Sequence, residues 1–120
     1  MKRVAERHDQ KRKQKKAQVF SSDLKKMWPW GEAEHQFHVG RKWAFDWADV
    51  ENHIAVELDG YAYHTIRSRW LEDMEKMDEA AIEGWLVLHF TPDQFRNGEA
   101  DLLLRRLYEN MYGRYPRDDK

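Results

Sequence analysis

The sequence predicts an α/β fold in which a small mixed sheet of about four strands carries helices packed on it, in the order αβββαβα. Three observations predict it. Residues 42–49 and 53–59 are two consecutive runs of period-two alternation joined by a short polar break, which is a hairpin pattern. In residues 65–83, Ile66, Trp70, Met74, Met77 and Ala81 lie four, four, three and four apart, a helical stripe. Residues 85–90 are a short, mostly apolar run after Gly84, the pattern of a strand covered on both faces.

Each element follows in chain order. Residues 1–20 form a basic arm or helix, free of glycine and proline and without an apolar stripe to fix it to a core. Ser21-Ser22-Asp23 is an N-cap cluster, and a short helix over 24–28 stops at Pro29. Gly31 reopens the chain, and 34–39 reads as a strand turned at Gly40. The hairpin follows, with Trp43, Phe45 and Trp47 alternating with Ala44, Asp46 and Ala48, then Ile54, Val56 and Leu58 with Ala55, Glu57 and Asp59. Thr65 or Ser68 can cap the 65–83 helix, and Gly84 fits the position just past its end. Thr91-Pro92-Asp93 breaks the strand at 85–90. A last helix, 99–112, places Leu103, Leu104, Leu107, Tyr108 and Met111 inward. One domain over 21–112 is expected, followed by a polar, mobile tail at 113–120.

The composition excludes several classes of function. With no cysteine among its 120 residues, the chain has no disulfide, cysteine-bound zinc, iron–sulfur cluster or thiol nucleophile. No apolar run approaches the roughly 20 residues of a membrane span, and the first residues lack a signal peptide's apolar stretch. A soluble, cytoplasmic protein with no membrane partner is expected. The formal net charge of −1 hides an asymmetry, because residues 1–16 carry +6 and the remainder −7. A basic arm on an acidic body either binds a polyanion or is a solvated helix end or tail. The acidic body would hold nucleic acid poorly unless metal ions neutralised some of its carboxylates.

The hairpin register can be derived from the requirement that its bulky residues share a face. A tight turn at Glu51-Asn52 pairs residues whose numbers sum to 103, setting Trp47 opposite Val56 and Asp46 opposite Glu57. Those two carboxylates would then stand roughly 5 Å apart at Cβ, flanked by Ala44, Ala48 and Ala55. Such a pair destabilises a sheet unless a cation or a proton lies between them, although a wet sheet face is the commoner reason for polar alternation. A turn at Val39-Gly40-Arg41 gives a sum of 80, which brings Glu34 opposite Asp46 and Phe37 opposite Trp43. Asp59 lies on the Glu57 side. Oxygen-rich groups of this kind suit Mg²⁺ or Mn²⁺. The 65–83 helix could cover the bulky face, leaving the acidic face open as a cleft, but the last helix also needs a sheet face. His64 could serve as an acid or base near a metal-bound phosphate or be a surface residue, and Asp73 with Lys76 reads as a surface ion pair.

The runs Glu34-His35-Gln36-Phe37-His38, Arg41 to Ala48, Ala55-Val56-Glu57-Leu58-Asp59-Gly60, His64, Asp73-Met74-Glu75-Lys76 and Gly84 to Leu88 together resemble the PD-(D/E)XK nuclease superfamily. Within it, they are most similar to very-short-patch-repair-like endonuclease domains of bacteria and phages. The resemblance spans about 32–95 and leaves out the basic arm and the last helix. It implies a restriction-endonuclease-like core and a metal-dependent endonuclease that hydrolyses DNA phosphodiester bonds. By position, Asp46 and Glu57 would ligate Mg²⁺ (or Mn²⁺), with the Leu58 carbonyl as a third ligand. Glu34, His64 and Asp73 would be catalytic, and Asp59 and Lys76 would support them. The superfamily's lysine two residues after the glutamate is Asp59 here, so His64 is taken as its substitute.

That chemistry would use a cation to stabilise charge on a phosphate oxygen and to lower the pKa of a water, with His64 relaying the proton. Arg41, Lys42 and Lys76, and Lys11, Arg12, Lys13, Lys15 and Lys16 of the arm, are candidate DNA contacts. If the arm neutralised about six phosphates, the log–log salt slope would be near −5. Trp28, Trp30, Tyr61 and Tyr63 are either core residues or base-stacking residues. The alternative to an enzyme is a catalytically inactive nuclease fold that binds nucleic acid or another partner.

Overall fold

The computed structural model describes residues 18–59 and 67–119. Over these residues the chain is an α/β structure built on one four-stranded mixed sheet. Helix α1 is Ser21–Met27, strands β1, β2 and β3 are Glu32–Gln36, Ala44–Asp49 and Ile54–Leu58, and helix α2 is Arg67–Ile82. Strand β4 is Leu86–Phe90, helices α3 and α4 are Pro92–Arg96 and Glu99–Tyr112, and a 3₁₀ turn spans Pro116–Asp118. The strands lie in sequence order, β1 to β3 antiparallel and β4 parallel to β3. The parallel pair requires a crossover, and α2 is that connection.

Both derived registers are present. β2 and β3 pair Trp47 with Val56 and Ala48 with Ala55, the sum of 103. β1 and β2 pair Ala33 with Trp47 and His35 with Phe45, the sum of 80. The hairpin turn is longer than the tight one expected: β2 ends at Asp49, β3 begins at Ile54, and His53 closes the turn at φ 55°. Lengthening a turn equally at both ends leaves the register unchanged, which is why the sum survived.

The two sheet faces are covered in the opposite sense to the expectation. The bulky face, with Trp47, Ile54, Val56 and Phe90, packs against α1, α3 and α4 through Leu24, Trp28, Phe95, Ala100, Leu104 and Tyr108. Helix α2 lies instead on the small-residue face, where Ala80 packs with Ala48 and Ala55. Two alanines let a helix approach a sheet closely, whereas the tryptophan-rich face needs the larger surface that three helices supply. Phe45 departs from alternation, packing on the α2 side with Phe37 stacked 4.1 Å from it. Its strand leaves β3 at that point, since the β2–β3 pairs end at Trp47, and Glu34 opposite takes φ 52°.

The main core is aromatic, and its polar ring atoms are satisfied. Trp47 Nε1 donates to the Trp28 carbonyl (2.9 Å), Trp28 Nε1 to Asp101 (3.0 Å), and Trp30 Nε1 to the Tyr108 hydroxyl (3.0 Å). Tyr108 in turn donates to buried Asp49 at 2.6 Å. Gly31 is required where α1 turns into β1, because a Cβ there would overlap the Trp47 indole. Gly84, at φ 84°, ends α2 in the left-handed conformation expected of it.

Three further expectations change. The break at Thr91-Pro92-Asp93 is a helix start: the Thr91 hydroxyl accepts from Gln94 N, with proline at the first turn. The polar tail is anchored, because Tyr115 is buried, its hydroxyl bonded to Asp101 (2.6 Å) and Arg105 paired with Asp118. Met111 is exposed, so the inner face of α4 runs through Ala100, Leu104 and Tyr108. Among the described residues no helix is long and apolar enough to cross a membrane. The arm with Lys11, Arg12, Lys13, Lys15 and Lys16 lies outside the described residues.

Candidate active site

The acidic residues of the hairpin meet α2 at the carboxyl ends of β3 and β4. Because α2 crosses back between two parallel strands, its first turns stand beyond Leu58 and Phe90, where the sheet runs out. The crevice outside the carboxyl ends of parallel strands is a recurrent ligand position in α/β sheets.

Asp46 is fixed by the end of the ladder. His53 O and Asp59 N bond to β4 residues, so by alternation the Leu58 N–H points toward β2. No β2 backbone carbonyl is paired there, and Asp46 Oδ2 accepts that proton at 2.6 Å. The same interaction that ends the hairpin therefore holds the carboxylate in place. Glu57, one residue past the last β2–β3 pair of Trp47 with Val56, is buried at 8% exposure beneath α2.

The cation in this cluster is Lys76. Its ammonium is paired with the Glu57 carboxylate and donates to the Ala44 carbonyl at 2.7 Å, with the Phe45 ring 5.8 Å away. The expected surface pair of Asp73 with Lys76 is therefore not made: Lys76 points inward while Asp73 remains exposed on the rim. Helical spacing makes three-apart residues neighbours, but the buried Glu57 carboxyl and the Ala44 carbonyl together give the ammonium two partners, whereas a pair with solvated Asp73 would be worth little. Burial is the main influence on Glu57 and raises its carboxyl to about 8 from an ordinary 4.5, with Asp46 adding to the rise and Lys76 opposing it.

Around this centre, Asp59, Asp73, Met74, Trp70 and His89 line a cleft with Glu57 and Lys76. His89, the β4 partner of Glu57, bonds Asp59 at 2.9 Å, and that carboxylate holds the imidazole above its ordinary value. Sequence reasoning passed over His89. The signal was available, since His89 and Val87 share the β4 face toward α2 and a histidine there interrupts an otherwise apolar strand.

The other expected residues are distributed differently. Glu34 stands opposite Asp46 in the register but is exposed and does not line the cleft. Arg41 is occupied: its guanidinium stacks 4.2 Å over Trp43 and reaches Glu72 (3.6 Å) and Glu75 (3.7 Å) of α2. Lys42 is exposed. Trp28 is buried and Trp30 packs against the core, so neither can stack on a base. His64, Tyr61 and Tyr63 lie outside the described residues.

For a divalent cation the donor chemistry is suitable: two carboxylates on adjacent strands and the Leu58 carbonyl are hard oxygen ligands, and Mg²⁺ commonly takes only one or two carboxylates and keeps its waters. No group of three or more acidic or histidine side chains fit to hold a metal occurs among the described residues. Compared with known proteins, the chain matches no family model, no curated protein and no solved structure.

Proposed function

We propose that the chain is a Mg²⁺-dependent DNA endonuclease with a restriction-endonuclease-like core of the PD-(D/E)XK type, nearest the very-short-patch-repair-like domains. One observation carries the reading: Asp46, Glu57 and Lys76 converge at the carboxyl ends of β3 and β4, two adjacent carboxyl groups and one buried cation beside an open cleft. A fold that needed only stability would gain more from apolar side chains of similar volume there.

Asp46 and Glu57, with the Leu58 carbonyl, would hold the Mg²⁺ (or Mn²⁺), which when bound supplies charge stabilisation at a phosphate oxygen and a more acidic water. Leu58 N–H keeps Asp46 oriented. Lys76 spends two of its three donors on Glu57 and Ala44, leaving one for a water or a phosphate oxygen. It, rather than His64, takes the place of the absent strand lysine in this reading. Asp73 and the Asp59–His89 pair form the rim against which the strand would lie.

A second reading has its own support. Lys76 already occupies the Glu57 carboxyl, as in an inactive nuclease fold that binds nucleic acid without turnover. Plasmid nicking separates the two. The enzyme nicks in Mg²⁺ or Mn²⁺, stops with chelator and is silenced by Asp46→Asn. The binding module shifts DNA equally with and without chelator and nicks in neither.

A further inference from the structure

Helix α2 leaves an apolar surface open beside the carboxylate–lysine centre. Trp70 is 48% exposed and Met74 47% exposed, although their spacing was that of a core stripe. The cause lies in the sheet, since β3 ends at Leu58 and β4 at Phe90, leaving the first turns of α2 with no strand among the described residues beneath them. Trp70 and Met74 line the same cleft as Glu57 and Lys76, with a volume of about 320 Å³. That is the small end of the range for ligand pockets, about 300–1,000 Å³, and suits one planar heterocycle.

We infer that Trp70 is a stacking platform for an unpaired nucleobase next to the phosphodiester that Lys76 contacts, so that the preferred substrate is single-stranded or locally unpaired nucleic acid. The inference rests on the nuclease-fold reading for where the phosphate lies. Charge complementarity selects the occupant. The rim is formed by Asp59, Asp73 and Asp78, which when ionised only accept hydrogen bonds. Every nucleobase carries an N–H donor on its pairing edge, and in a duplex those donors are already used. An unpaired base offers them and exposes both of its faces. An indole floor with acceptors at its edge therefore matches an unstacked base and not an intact helix. The same rim repels the continuous double row of phosphates that a duplex presents, whereas one strand brings fewer charges to the acidic cleft.

The test is fluorescence anisotropy of a labelled mixed-sequence oligodeoxynucleotide, single-stranded or annealed to its complement, in Ca²⁺ and again with chelator. The proteins are wild type, Trp70→Phe and Trp70→Ala in the full chain. Stacking worth about 1–3 kcal/mol per base corresponds to a roughly 5- to 150-fold weakening of single-strand binding in Trp70→Ala, with most affinity kept in Trp70→Phe. Wild type should bind the single strand at least severalfold more tightly than the duplex, and that preference should shrink in Trp70→Ala. Trp70 lies outside both core clusters, so the variants should melt with wild type. Duplex binding as tight as single-strand binding, binding unchanged in Trp70→Ala, or no binding of either form overturns the inference. The two readings can fail separately: Trp70-dependent binding without any nicking removes the enzyme, and metal-dependent nicking indifferent to Trp70 removes the platform.

Discussion

Lys76→Met tests the centre of the site through its pH dependence. The substitution keeps most of the side chain's length and flexibility and removes the ammonium that pairs with Glu57 and donates to Ala44. Both partners are well buried, with side-chain exposures of 14% for Lys76 and 11% for Glu57. In the wild type the folded chain keeps the Glu57 proton up to about 8 against an ordinary 4.5. A raised carboxyl makes a contribution to stability that is complete below the lower value, declines as pH rises, and levels off above the higher one. Without Lys76 the strongest influence favouring the carboxylate is gone, so the proton is retained beyond about 8 and stability continues to fall. The slope there is roughly 1 kcal/mol per pH unit. Below neutrality, where Glu57 is protonated in both proteins, the variant should lose only about 1–3 kcal/mol of hydrogen bonding. Thermal melts of the two proteins at about pH 6 and about pH 9 give the answer. Each kcal/mol is worth several degrees in a domain of this size, so the Tm gap should widen by roughly 3–8 °C at the higher pH. A gap that is equal or narrower at the higher pH would mean that the buried Glu57–Lys76 pair is not made.

Three further outcomes are expected. Asp46→Asn keeps an oxygen to accept the Leu58 N–H, so it should fold normally yet lose both nicking and any Tm rise with millimolar Mg²⁺, because only a ligand bound to the native state stabilises it. Tyr108→Phe removes a hydroxyl that donates to buried Asp49 and accepts from Trp30, and should cost about 1–3 kcal/mol in urea unfolding. Tyr115→Ala should cost about 3–5 kcal/mol by the same measurement, since the ring packs against Trp30 and Tyr108; a near-neutral result would return the end of the chain to the status of a loose tail.

Much of this arrangement is legible in the residues alone. The alternations at 42–49 and 53–59 determine two strands, and the need to keep Trp47 beside Val56 determines their register, because a slip of one residue reverses every side chain. That register, extended by one pair beyond Trp47 and Val56, brings Asp46 close to Glu57. The glycine after α2 and the apolar run at β4 likewise follow from local rules. What period alone cannot show is which face of the sheet a helix will cover. Trp70, Met74 and Met77 mark an apolar stripe, but Ala48 and Ala55 decide that α2 approaches the small-residue side, and the lengths of β3 and β4 decide that Trp70 is left uncovered. Lys76 shows the same division. In sequence it is three residues from Asp73 and reads as half of a surface pair. In the fold the buried Glu57 carboxyl and the Ala44 carbonyl lie beneath it, and these two acceptors turn the ammonium inward. The sequence determined the hairpin strands, their register and the nearness of the two carboxylates, since these depend on neighbours and alternation. Only the tertiary structure decided the cation, the cleft and the exposed indole, because each depends on how far one element extends over another.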